Sequence, residues 1–340
     1  MLKKASHSQF RLILLFLLVF GCEYKPASFG DFEKIVVFAD STLYNQMLTE
    51  LEQTFDQFLY TPHSEKSFYL DLQPLALLDT YQTRRNLLFM GLLDGQDAVS
   101  KFMNTALSAQ IKESVAKGQI FEIFQSDIFA TEQEVIFLPA VDIQTLKNRI
   151  SDRKDIIFDK LDKSYMRRLE NAMFLKGEQI VIEDYLSEEY GWKIKVQHDY
   201  RIVKETDDRN FVWFRRLNPD RSLFVYRFPY KNLDDEGAWL YNMRDSLTTV
   251  HFEADSIEKD DSYIQLVQFR GKEIKKLTGI WQNHTHYIGG PFRTYAFADS
   301  SKTYMYLIDM SVTAPGERKK PYLDQLDVMA NSFQFVDRKK

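Results

Sequence analysis

Read for the spacing of apolar and polar positions, the chain divides into segments of different character. From Leu12 to Phe20 all nine residues are apolar, behind a basic start at Lys3, Lys4 and Arg11. Such a run rises about 13 Å as a helix, well short of the roughly 30 Å of hydrocarbon that a permanent span crosses. The pattern therefore predicts an export signal over 1–21 rather than a membrane helix. Residues 22–31 contain Pro26, Ser28 and Gly30 with no apolar period, and read as a tether.

Beyond the tether, Ile35-Val36-Val37-Phe38 predicts a buried strand. Asp40 and Ser41 can cap a helix whose positions Leu43, Met47, Leu48, Leu51, Phe55 and Phe58 fall at helical spacing. Strands are expected over 67–72 and 86–92. Helical character extends over 97–115, with weaker helical pattern at 119–124 and 135–137, and 143–174 reads as one or two long charged helices. The pattern changes near Gly177 and Gly191. From Trp192 onward short alternating segments prevail, at 194–196, 210–216, 222–228, 273–282, 293–297 and 303–312. One helix interrupts them from about Asp234-Asp235, with Leu240, Met243 and Leu247 on one face, and another follows over 320–331.

The expected fold class is α+β, with two α/β-sandwich-like domains over 32–190 and 191–340. The second is expected to be an antiparallel sheet with helices packed on one face. A 44% hydrophobic and 27% charged composition, with 27 Phe, 18 Tyr and 4 Trp among 340 residues, gives ample core material and argues against disorder.

Cys22 is the only cysteine, which excludes a disulfide framework. Val19-Phe20-Gly21-Cys22 resembles the lipobox of bacterial lipoproteins, where a small residue precedes an acylated cysteine; Phe20 is bulkier than that pattern usually holds. The resemblance implies lipidation of Cys22, palmitate-like chains, and a bilayer as the first partner. Glu23 is not the Asp that retains some lipoproteins in the inner membrane, so the expected address is the periplasmic or outer-membrane face of the envelope. Loss of Lys3, Lys4 and Arg11 with the signal, and of no carboxylate, takes the formal net charge from −5 to −8, which speaks against nucleic acid as a partner.

The second half carries a recurring set of phrases: Asn210-Phe211-Val212-Trp213-Phe214-Arg215-Arg216, Phe228-Pro229-Tyr230, Met243-Arg244-Asp245-Ser246, Gly279-Ile280-Trp281, and Gly289-Gly290-Pro291-Phe292 before Tyr295. In this order, with Arg84-Arg85-Asn86 upstream, they resemble domain-of-unknown-function family 4837, a group of bacterial lipoproteins. The resemblance implies an envelope address and brings no activity or cofactor with it.

Candidate chemistry is sparse. Alternation on strand 211–216 puts Phe211, Trp213 and Arg215 on one face and Val212, Phe214 and Arg216 on the other. That strand reads first as a covered central strand, and second as one wall of a groove where Trp213 and Arg215 meet an anionic or sugar-like ligand. Arg244, on the covering helix, either bridges to a neighbouring charge or reaches toward Trp213. His284 and His286 would share a side of an extended segment, with His251 as a third ligand, but nothing like a His-Glu-x-x-His motif supports a metal. Residues 253–261 read as a solvated acidic loop, and Gly289-Gly290-Pro291 as a turn. Neither Gly-x-Ser-x-Gly nor Cys-x-x-Cys occurs, so serine-hydrolase and thiol-redox chemistry lack their usual marks. The expected function is a non-catalytic, membrane-anchored envelope module that binds a protein, peptide or glycan. The alternative is a periplasmic hydrolase acting on cell-envelope material.

Overall fold

The computed structural model describes residues 25–60, 63–233, 237–252 and 255–336. Cys22, the apolar run before it and Asp234-Asp235 lie outside these residues. No helix among the described residues is long and apolar enough to cross a membrane.

The first half contains β1 (Lys34–Phe38), α1 (Ser41–Phe55), the hairpin β2 (Phe58–Tyr60) and β3 (Ser64–Lys66), and β4 (Tyr69–Gln73). A short 3₁₀ turn leads into α2 (Leu78–Tyr81), followed by β5 (Asn86–Leu92), α3 (Ala98–Ala106), α4 (Ala109–Ala116), β6 (Ile123–Ser126) and β7 (Glu134–Ala140). Two helices close this half, α5 (Ile143–Phe174) and α6 (Ile180–Tyr190). The sheet order is β4-β1-β5-β7-β6, parallel except for β6. Its central strands are apolar throughout because both faces are covered. Ile35, Val37, Leu88, Met90, Ile136 and Leu138 face the core shared with α1 and α5. Val36, Phe38, Leu87, Phe89, Val135 and Phe137 form the opposite core with α2 and α3. As the sequence suggests, α1 starts at Asp40, whose carboxylate accepts the N–H groups of Thr42 (2.9 Å) and Leu43 (3.2 Å).

Several expectations are corrected here. Segments 119–124 and 135–137 contribute to strands β6 and β7, not helices; short apolar runs of this kind are periodic in neither sense, and pairing with β5 decides the matter. Residues 143–174 form one helix. From Lys25 the expected tether is docked: Ala27 bridges Thr131 and Phe29 bridges Arg84, satisfying backbone groups that a free tether would give to water.

The second half contains β8 (Trp192–Lys193), β9 (Arg201–Glu205), β10 (Phe211–Arg216), β11 (Asp220–Pro229), α7 (Ala238–His251), β12 (Ser256–Phe269), β13 (Lys272–Asn283), β14 (Ile288–Ala298), β15 (Tyr304–Thr313), α8 (Lys320–Asn331) and β16 (Gln334–Phe335). Seven of these strands form an antiparallel sheet in the order β12-β13-β14-β15-β11-β10-β9. The expected α+β class and antiparallel sheet are present, but the two helices divide between the faces. Phe211, Phe224, Leu277 and Trp281 pack with Leu240 and Leu247 of α7. Val212, Phe214, Ile308 and Met310 pack with Leu323, Leu326 and Met329 of α8. Both faces are apolar, so each requires a cover. Residues 256–261 belong to edge strand β12 rather than to an acidic loop, and Gly289-Gly290-Pro291 lies inside β14 rather than in a turn. A Cβ at Gly290 would come within 1.9 Å of the Val312 carbonyl oxygen, so the glycine is required by close strand approach, not by positive φ.

The halves share one core, which runs from Ile35 through α5 and α8 to Phe333. Its polar seam is dense. The Glu65 carboxylate on β3 caps α8 by accepting the N–H groups of Lys319 (2.8 Å) and Lys320 (2.9 Å). Tyr165 of α5 donates to Asp324 at 2.8 Å, and Arg293 of β14 binds both Asp324 (3.1 Å) and Asp327. Burial alone would raise the Asp324 pKa, but Lys320 and Arg293 outweigh it and hold the group at about 2. Asp162 is raised to about 6 by burial and then by the charge of Asp324.

Because its pKa is higher folded than unfolded, Asp162 opposes folding when ionised, and stability contributed by its proton grows as pH falls from about 7 toward 4. Asp162→Asn is expected to raise stability at pH 7, by at most about 3 kcal/mol, and to have little effect near pH 4. Urea unfolding of both proteins at the two pH values measures this.

Candidate binding cleft

Helix α7 stops at His251, and the sheet face it leaves uncovered is polar. Strand alternation places Trp213 and Arg215 of β10 on the α7 side, as expected, while Val212 and Phe214 join the opposite core. Register brings Arg215 opposite Ser222 of β11, Ser222 opposite Ser311 of β15, and Asp220 opposite Thr313. On β13, Trp281 and Asn283 continue the same face two residues apart. These residues, with His251 and Phe252 at the end of α7, Asp255, His286 from the β13–β14 turn and Ile288 at the start of β14, enclose a cleft of about 360 Å³. That is at the small end of the range for small-molecule sites.

The walls are aromatic. Trp213 packs against Phe252 with ring centroids 4.4 Å apart, and His251 stacks on Phe211 at 3.9 Å with an interplanar angle of 12°. Burial, and then the charge of Lys204, lowers the His251 pKa, so this imidazole is neutral at pH 7. Arg215 sits 5.5 Å from the Trp213 ring, and its fork is already engaged by Asp220 through two hydrogen bonds of 2.9 and 2.6 Å. Asp255 accepts from the Asn283 amide at 2.8 Å. The cleft thus sets one guanidinium against two carboxylates, which disfavours the anionic ligand considered from sequence and leaves the neutral sugar-like one.

Three ring nitrogens in this lining are buried with no hydrogen-bond partner: Nε1 of Trp213, Nε1 of Trp281 and Nδ1 of His251. An unmade buried hydrogen bond costs about 1–3 kcal/mol. All three belong to residues around one cavity.

The remaining sequence candidates separate. Arg244 does not reach Trp213: its guanidinium turns into the sheet, bonds Asp309 at 2.7 Å and lies 3.6 Å above the Phe292 ring. A carboxylate in the middle of a sheet needs a counter-charge there, so Arg244 is structural. His284 is exposed and does not line the cleft, whereas His251 and His286 do. Residues 284–287 form a turn, with the Asn283 side-chain oxygen accepting from the N–H groups of Thr285 and His286, so the extended geometry assumed for a histidine pair is absent. Among the described residues no group of three or more His, Cys, Asp or Glu is placed to hold a metal. Trp281, Asn283 and Asp255 escaped the sequence reading. Their signal was present for β13 alone, where Gly279, Trp281 and Asn283 alternate onto one face as Trp213 and Arg215 do.

Comparison with known proteins adds family, not activity. No curated protein matches the chain. Solved structures similar to part of it include the Saccharomyces cerevisiae Ran-binding protein Mog1p, at 14% identity over 43% of this chain and 91% of that one, with a TM-score of 0.30. LpqN of Mycobacterium tuberculosis, described as involved in cell envelope biogenesis, is 10% identical over 43% of this chain and 83% of its own, with a TM-score of 0.29. A Bacteroides thetaiotaomicron protein is 8% identical over 44% and 47%, with a TM-score of 0.28. Likenesses this low support no conclusion about the chain. Residues 28–174 match the domain of unknown function DUF8532, and residues 179–332, which include the whole cleft, match the domain of unknown function DUF4837.

Proposed function

We propose that this protein is an envelope lipoprotein, held at a bilayer by an acylated Cys22, whose folded part is a non-catalytic module binding a neutral, hydroxyl-rich ligand of the saccharide class. The observation that carries the binding reading is the convergence of three unpartnered ring nitrogens on one aromatic cleft. A sugar supplies hydroxyl acceptors for the two indole N–H groups, donors for the Asp255 carboxylate, and C–H faces for the rings of Trp213 and Phe252. The Arg215–Asp220 pair holds the edge of the cleft in place and leaves no spare positive charge for an anion. The address rests on the basic start, the apolar run from Leu12 to Phe20 and the single cysteine behind it.

Calorimetric titration with oligosaccharides of glucose and N-acetylglucosamine tests the binding reading, using the chain from Glu23 onward, which retains every described residue. Binding to at least one series is expected, weakened tenfold or more by Trp213→Ala. A panel with no binder, or binding indifferent to that change, overturns it. In cells, Cys22→Ser is expected to abolish incorporation of labelled palmitate; persisting label removes the anchor from the account.

A further inference from the structure

On the α8 side of the seven-stranded sheet, the β12–β13 hairpin and the C-terminal strand β16 enclose a second cavity of about 350 Å³. Its walls are the rings of Phe269, Phe297, Phe333 and Phe335. Phe269 lies 5.1 Å from Phe297, and Phe333 lies 5.3 Å from Phe297 and 5.2 Å from Phe335. Three of these rings are buried, and Phe335 is 42% exposed at the mouth.

Two cations flank the opening. The chain reverses through Arg270 (φ 51°) and Gly271 (φ 75°), a two-residue turn that leaves Lys272 directly opposite Phe269 and on the same side of the hairpin. The Arg270 guanidinium donates only to the Asn331 carbonyl, at 3.4 Å, and the Lys272 ammonium to the Ser300 hydroxyl, at 3.1 Å. Neither cation has a carboxylate partner among the described residues, and no carboxylate lines the cavity. The contrast with the Trp213 cleft is direct: there the guanidinium is neutralised by Asp220, and here both charges stand unspent beside an apolar interior.

We propose that this cavity is a binding site for an amphiphilic anion, a carboxylate carried on an apolar body of the medium-chain fatty acid type. The rings take the chain out of water, and Arg270 and Lys272 meet the head group at the mouth. The site lies on the opposite face of the sheet from the saccharide cleft, so the two are independent and either reading stands without the other.

The test is calorimetric titration of the chain from Glu23 with decanoate, decanol and decyltrimethylammonium, each below its micellar concentration. Decanoate is expected to bind at least tenfold more tightly than the ammonium compound. Arg270→Glu combined with Lys272→Glu, both at an exposed turn, should abolish or reverse that preference. Phe335→Ala should weaken all three ligands, and Trp213→Ala should change none of them. Failure of decanoate to bind, equal affinity for anion and cation, or a preference that survives the double charge reversal would overturn the assignment.

Discussion

Replacing Arg244 by methionine is expected to destabilise the protein by about 3–5 kcal/mol, the usual penalty for stranding one member of a buried ion pair. Arg244 and Asp309 are each 2% exposed, and the pair is made at 2.7 Å in the middle of the sheet. Asp309 also accepts from the Thr294 hydroxyl at 2.5 Å, so the carboxyl group is held in position whether or not the arginine is there. Arg244→Met leaves that carboxylate without a counter-charge beneath α7. The pair itself contributes less than its loss suggests, because removing both charges from water offsets most of their attraction. Arg244→Met combined with Asp309→Leu is therefore expected to recover much of the loss. Urea unfolding of the two single variants and the double variant gives the coupling; a double variant as unstable as the sum of the singles contradicts the account of the pair.

The second large effect is expected at the seam between the halves. Arg293→Met removes the cation shared by Asp324 and Asp327 and leaves both carboxylates near Asp162, in a region that α5, α8 and the seven-stranded sheet close from every side. A loss of about 3–5 kcal/mol is again expected at pH 7. Here the pH dependence identifies the cause. Lys320 still pairs with Asp324, but the charge that Arg293 set against Asp162 is gone, so Asp162 holds its proton still more tightly in the folded state and the variant should regain stability as pH falls from 7 toward 5. The parent's Asp324, held at about 2, keeps its contribution throughout that range and loses it only as pH falls toward 2. A variant that weakens further on acidification would show that the cluster is not governed by charge.

Much of the fold was legible because local signals agreed with the final packing. Asp40 with apolar residues at helical spacing predicts α1, and the alternation in 211–216 predicts which rings of β10 face which core. The charged period of 143–174 predicts α5, and the pattern over 320–331 predicts α8. What failed depended on partners distant in sequence. Segment 135–137 becomes a strand because β5 lies beside it, and Lys25–Phe29 is docked because Thr83 and Thr131 offer backbone partners. The division of α7 and α8 between two faces follows from the sheet being apolar on both, a property of the assembled strands.

The site divides in the same way. Trp213 and Arg215 were legible from one strand's alternation, but their neighbours Ser222, Ser311 and Trp281 come from three other strands, and Asp255 from the segment before a fourth, whose register no local pattern states. Arg244 was placed on the correct helix, and of its two readings the bridge to a charge is the one present; its partner Asp309 could not be named because it is 65 residues away.

The most direct test of the cleft uses the indole N–H groups themselves. The chain has four tryptophans, so a ¹⁵N-labelled sample gives four indole signals, each assignable by its Trp→Phe variant. Trp192 is buried against Phe333, and Trp239 lies on α7, outside the cleft lining. On titration with the oligosaccharide that binds most tightly, the account predicts that the Trp213 and Trp281 signals move downfield as their N–H groups acquire acceptors, while those of Trp192 and Trp239 stay in place. Unmoved Trp213 and Trp281 signals at saturating ligand, or movement confined to Trp192 or Trp239, would contradict it.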